Sequence, residues 1–215
     1  MERKPVSLRI YAFALAISLL VFVVGLVLGW QWGFSAVSQM KAEFDSLFAE
    51  GTAMELVGLM GNESFACPVY EREFASLFGK TERFGSRLSG LEQSYGKQDP
   101  QVMELKKEYA SMQLRNYLLQ KAMDERCGTR HNVILYFYSN ENYSAAADEG
   151  LQIARVDREF GAFTYHFDVN VDSPVVAGLV SGYAVGVTPT LVINGEKRAG
   201  FLTARELRAI LSRSD

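Results

Sequence analysis

Two cysteines, Cys67 and Cys127, and two histidines, His131 and His166, are the side chains on which redox, metal or nucleophilic chemistry would rest. A reactive dithiol ordinarily keeps its cysteines close in sequence, in a setting that lowers a thiol pKa. Here they are far apart. Four scattered candidates also lack the ligand spacing of a zinc site, so no metal is expected. Neither histidine has an acidic or cysteine neighbour at catalytic spacing. No glycine-rich phosphate loop is present, and no small-molecule cofactor is expected. A net charge of -3 over 215 residues gives no electrostatic footprint for nucleic acid. Three readings of the cysteines stay open: a structural disulfide, two buried free thiols, or a redox pair serving a partner.

The elements around them begin with "IYAFALAISLLVFVVGLVLGW", Ile10 to Trp30, a run without charge. About twenty apolar residues suffice for a helix to cross a bilayer. The run is long for the apolar core of a signal peptide, and no small-residue cleavage site follows it. It is therefore read as an uncleaved signal-anchor, a single-pass transmembrane helix over 10–30. Arg3, Lys4 and Arg9 precede it, and only Lys41 follows closely. The excess of basic residues places the tail, residues 1–9, in the cytoplasm and the rest outside the cell membrane. Trp30 and Trp32 suit the outer interface. Residues 31–63 read as a helical connector. Its Phe34, Val37, Phe44, Leu47 and Phe48 form a buried face or one resting on the membrane surface, the first being preferred.

From 64 to 128 the pattern is helical and polar overall. Cys67, Tyr70, Phe74, Leu77, Thr81, Phe84, Leu88, Leu91 and Tyr95 alternate steps of three and four, which is a heptad-like seam. Gly96 to Pro100 breaks it, since Gly suits a helix C-cap and Pro the first turn of the next helix. A second seam carries Val102, Leu105, Tyr109, Met112, Asn116, Leu119, Met123 and Cys127. The pair reads as an antiparallel coiled-coil hairpin. The midpoint between the cysteines is Lys97, inside the turn. Two equal arms of about 45 Å, at the helical rise, would bring Cys67 and Cys127 together at the open end. Outside the cytoplasm a disulfide can persist there and staple the arms.

Beyond Asn132 the texture changes. "NVILYFYS" is a buried strand, and "SAAADEGLQIARVDREFG" is a helix with Ala147, Leu151, Ala154 and Phe160 on one side. "FTYHFDVN" alternates as a second strand. "SPVVAGLVSGYAVG" opens with Ser173 as N-cap and Pro174 at the first helical position. "TLVINGEKRAGF" is a hairpin, because Asn-Gly between strand-like runs favours a type I′ turn. Thr203 caps the closing helix. The order is βαβαββα, with one mixed sheet and helices on both of its faces.

"GVTPTLVING", Gly186 to Gly195, together with that order and the "FDVN" strand, resembles the thioredoxin superfamily. The segment "LYFYSN" followed by "EG" is similar to membrane-anchored archaeal thioredoxin-like proteins that carry C-x-x-C between those landmarks. The resemblance covers Asn132 to Asp215. It implies that Pro189 is a cis proline and that the backbone of Thr188 pairs with an extended substrate. It also implies a dithiol slot at the N-terminus of the domain's first helix, where exposed N–H groups and the helix dipole stabilise a thiolate. That slot falls on Tyr143, Ser144, Ala145 and Ala146. Both cysteines are missing from it. The acidic residue that many family members bury beneath the dithiol has no counterpart, and Phe137 stands in its place. Thiol–disulfide exchange needs a thiolate, so this domain cannot run it alone. The plain reading of the slot is a helix start capped by Asn142 or Ser144. Asn62 and Asn142 each open a glycosylation sequon.

The expectation is an α+β chain: transmembrane helix, coiled-coil hairpin over 64–128, and a thioredoxin-like domain over 132–215. Its expected role is binding, not catalysis. Thr188 and Pro189 would hold a peptide or protein partner outside the cytoplasm. The alternatives are a thiol–disulfide oxidoreductase, or an accessory to one, using Cys67 and Cys127, and a structural spacer at the membrane.

Overall fold

The computed structural model describes residues 8–59, 63–140 and 143–212, with the side chains at 8, 10, 30–35, 63 and 143–147 left out. The sequon asparagines Asn62 and Asn142 lie outside the described residues, and the side chains of Trp30, Trp32 and Phe34 outside the described side chains. The order is α1 (Leu8–Leu59), α2 (Glu63–Tyr95), α3 (Pro100–Cys127), β1 (Val133–Tyr138), α4 (Tyr143–Phe160), β2 (Phe163–Asp168), α5 (Pro174–Gly182), β3 (Thr190–Ile193), β4 (Glu196–Ala199) and α6 (Ala204–Leu211). The chain divides into two compact units, residues 1–42 and 43–215.

The first unit is helical. Its window Tyr11–Gly29 has a mean hydropathy of 2.8 and no buried residue, so it is long and apolar enough to cross a membrane.

In the second unit, the end of α1 runs antiparallel to α2. Glu50 pairs with Lys80 at 2.7 Å, and Glu43 pairs with Arg87. Arg115 of α3 fastens the same stretch. Its guanidinium donates to Glu55 at 2.6 and 2.9 Å, to the Thr52 hydroxyl at 2.6 Å and to the Phe48 carbonyl at 2.7 Å. Leu47 is buried here, Phe44 is half-buried and Phe48 is exposed. The connector therefore buries part of its apolar face against the hairpin.

Helices α2 and α3 form the expected antiparallel hairpin. Tyr70, Phe74, Leu77, Thr81, Phe84 and Leu88 are buried from one arm, and Val102, Leu105, Met112, Asn116, Leu119 and Met123 from the other. The turn works as its residues suggest. Gly96 takes a φ of 98°, and the Asp99 side chain accepts from Gln101 N and Val102 N ahead of Pro100. The two polar residues of the seam satisfy each other, Asn116 Nδ2 donating to Thr81 Oγ1 at 3.0 Å. A buried pair of this kind fixes which residues of the arms stand opposite. Gly85 leaves the room that the Tyr109 phenol occupies, because a Cβ there would collide with it.

The four strands form one mixed sheet in the order β2-β1-β3-β4, with β1 parallel to β2 and antiparallel to β3. One face, with Ile134, Tyr136, Leu191 and Ile193, packs on Ile153 and Val156 of α4 and on Leu207 and Leu211 of α6. The buried stripe of α4 differs from the expected one, since Leu151 and Ala154 are exposed. The helix is turned so that Glu149, Ile153, Val156 and Phe160 face the sheet. The cause is Glu149, whose Oε1 accepts the Leu202 N–H at 2.9 Å and so belongs on the inner side.

The other face carries Leu135, Phe137, Tyr165, Phe167 and Val192. It is covered by Leu179, Val180 and Tyr183 around α5, and by Phe78, Leu114 and Tyr117 of the hairpin. The hairpin therefore completes the core of the sheet. It also covers the edge strand β2. Phe74 and Phe78 set their rings edge-on to Phe163 at 5.4 and 4.8 Å, and the Tyr165 hydroxyl donates to Gln120 Oε1 at 2.6 Å. Each fully buried large apolar side chain contributes roughly 1.5–3 kcal/mol.

Candidate functional site

The carboxyl end of β1 is where the chain leaves the sheet for α4. The four slot positions, Tyr143 to Ala146, occupy the first turn of α4, and their side chains lie outside the described ones. Thr188 and Pro189 reach the same end from the other direction. Phe137 near the close of β1 pairs with Thr190, the first residue of β3. The Thr188–Pro189 peptide bond is cis. The Pro189 carbonyl accepts from Gly200 N at 2.9 Å, which brings Phe201 beside it. Val187 and Phe201 are exposed by 57% and 45%. Thr188 takes part in none of the described hydrogen bonds, so its backbone is open to an added partner.

Beneath this end lies a cluster of buried charge. Lys106 Nζ donates to Asp168 Oδ2 at 2.6 Å and to Glu92 Oε1 at 3.1 Å. Asn140 Nδ2 bridges the same two carboxylates at 3.0 and 2.9 Å. Asp168 keeps 3% of its side-chain surface and Lys106 8%. Carboxylates this far from water stand only if cations and donors satisfy them, and the cluster supplies both. Lys97, in the hairpin turn, donates to the Asn140 carbonyl at 2.6 Å. The loop that follows β1 is thus stitched to the hairpin. Burial pushes the Tyr138 phenol beside the cluster above its ordinary pKa, and Asp168 and Glu92 add to the shift.

On the other face, Glu149 is fully buried, and burial lifts its pKa from an ordinary 4.5 to about 7. It ties α4 to the segment carrying Phe201 and Leu202. An acidic residue therefore does lie inside the domain, supplied by α4 and not by β1, where Phe137 stands as expected. Asp157, further along α4, is also raised to about 7 by burial, and His166 is lowered to about 4 by the same cause.

Cys67 and Cys127 are joined as a disulfide with their Cα atoms 5.7 Å apart. The bond closes the open end of the hairpin. Cys127 ends α3, just before β1 begins, whereas Thr188 stands where β1 finishes. The sulfurs and the open backbone thus sit at opposite ends of a six-residue strand, a separation of about 20 Å at the rise of a strand.

At the sulfur end, His131 Nδ1 lies 2.7 Å from Asp124 Oδ1, which also accepts from Thr129 Oγ1 at 2.8 Å. The sequence offers neither histidine an acidic neighbour at catalytic spacing, but the fold brings Asp124 to His131. His166 likewise has Glu82 at 3.9 Å. Among the described residues no cluster of His, Cys, Asp or Glu could hold a metal ion.

The Lys106 cluster is also new relative to the sequence reading. The signal for it was a lysine flanking the apolar stripe of Val102, Leu105 and Tyr109, and an aspartate closing an otherwise buried strand. No family model, no curated protein and no solved structure matches the chain.

Proposed function

We propose that this chain is a membrane-anchored, redox-silent thioredoxin-like protein that binds an extended segment of a peptide or protein partner outside the cytoplasm. One observation carries the reading: Thr188, which takes part in none of the described hydrogen bonds, follows the exposed Val187, and its neighbour Pro189 is bonded to Gly200, next to the exposed Phe201. A main-chain ladder with apolar pockets on alternate residues is how extended peptides are held at a sheet. The thioredoxin-like assignment draws support from the βαβαββα order and from a strand order of β2-β1-β3-β4. The seam burial of α2 and α3 supports coiled-coil packing of the hairpin. An external location is favoured by the basic residues before the apolar helix and by the disulfide, which persists in oxidising compartments. The distance from the sulfurs to Thr188 argues against a redox pair that serves this face.

The test uses the full-length protein in nanodiscs and an array of overlapping peptides from unfolded casein. Peptides with apolar residues at alternate positions are expected to bind. Val187→Asp with Phe201→Asp should weaken them about tenfold, or about 1.4 kcal/mol. Unchanged binding by that double variant would remove Thr188 and its flanks from the function.

A further inference from the structure

At the opposite end of the sheet, where β1 begins, lies a cavity of about 860 Å³. Small-molecule sites commonly span roughly 300–1,000 Å³, with apolar walls and a few convergent polar groups. The floor here is apolar. Leu135 and Val192, cross-strand neighbours exposed by 1% and 2%, both line the cavity. Tyr117 supplies an aromatic wall, its hydroxyl occupied 3.2 Å from that of Tyr183.

The polar groups of the rim differ in how far they are committed. Asp124 is taken up by His131 and Thr129. The Asn132 Oδ1 accepts from Asn194 Nδ2 at 2.8 Å, which leaves the Asn132 amide N–H groups to donate. Lys121 and Arg130 line the cavity, are exposed, and make no described ion pair. Glu125 is the one lining carboxylate without a described partner. Two cations and an amide donor without described partners thus stand at the rim with the carboxylates of Asp124 and Glu125, above an apolar floor.

We infer that this cavity is a binding site for a small organic anion, an apolar or aromatic body carrying a carboxylate. The body rests on Leu135, Val192 and Tyr117, and the carboxylate meets Lys121 and Arg130 at the rim. A guanidinium presents parallel N–H donors that suit a carboxylate, which an alcohol cannot exploit. The site is separate from Thr188 and does not depend on peptide binding there.

Three probes that differ only in the end group decide it: 4-phenylbutyrate, 4-phenylbutanol and 4-phenylbutylamine. Each is titrated calorimetrically into full-length protein in zwitterionic nanodiscs, with empty nanodiscs subtracted. The carboxylate is expected to bind about tenfold more tightly than the alcohol or the amine, or about 1.4 kcal/mol. In the charge-reversed double variant Lys121→Glu with Arg130→Glu, the preference should pass to the amine. Both residues are exposed, so the fold should survive, and the gained amine binding reports a folded site. The inference is overturned if 4-phenylbutyrate does not bind at millimolar concentration, if the alcohol binds as tightly, or if the reversed variant keeps the original preference.

Discussion

The two ends of strand β1 are built on opposite plans. Where β1 finishes, the space between sheet and hairpin is filled by Lys106, Glu92, Asp168 and Asn140, whose hydrogen bonds satisfy one another. Where it begins, α3, the loop after it and the sheet leave a cavity, and a covalent bond closes the hairpin. Noncovalent ionic closure is specific but costly to disturb, because removing one partner strands the others away from water. A disulfide acts mainly on the unfolded chain and asks less of its surroundings. The difference explains why one end can stay open without losing the hairpin, while the other is closed by packed charge.

Breaking the ionic end should have the largest effect. Lys106→Ala leaves Glu92 and Asp168 facing each other without a cation, and is expected to cost about 3–5 kcal/mol. Denaturant unfolding of the full-length protein measures this, and a cost below about 1 kcal/mol would mean that water already screens the cluster. Next comes the covalent end. Cys67→Ser with Cys127→Ser should cost about 2–4 kcal/mol, through the 60-residue separation that the bond spans. Dithiothreitol should reproduce the loss in the wild type and change nothing in the variant.

The smallest effect sharpens the comparison on the face away from the hairpin. Glu149 has a folded pKa of about 7 against an ordinary 4.5, so the fold prefers its protonated form. In the window between those values the native state holds a proton that the unfolded chain has released. Stability from this group is therefore present below 4.5 and is lost as pH rises through about 7. Glu149→Gln keeps the acceptor for the Leu202 N–H and removes the titration. The variant should be the more stable above neutral pH, and the gap should close in acid. Taking the difference between variant and wild type cancels the titrations of Asp157 and His166. A gap that does not change with pH would show that Glu149 titrates alike in the folded and the unfolded chain.

What could be read from the chain, and what could not, divides along physical lines. The apolar run, the two seams, the turn at Gly96 to Pro100 and the βαβαββα order all leave local or periodic marks, and each corresponds to an element found. The closeness of Cys67 and Cys127 followed from equal arms about a known turn, and the structure adds that they are bonded. The contacts between hairpin and sheet left no such mark. Phe78 meets Phe163 and Lys106 meets Asp168 across long stretches of chain, and neither spacing repeats. His131 finds Asp124 only because Gly128, with a φ of 67°, ends α3 and turns the chain back. The face of α4 was misjudged because hydrophobicity alone points at Leu151, whereas a backbone N–H at Leu202 claims Glu149.

The hairpin's position along β2 has a consequence for how molecules meet one another. With that edge occupied, β4 is the remaining free border of the sheet. Its four side chains, Glu196, Lys197, Arg198 and Ala199, are all exposed, and three of them carry charge. A strand from a neighbouring molecule that tried to extend the sheet would have to set its own backbone beside that row of charge, the kind of edge that discourages such pairing. At high local concentration, where copies collide repeatedly, such a border would keep one copy from growing onto the next.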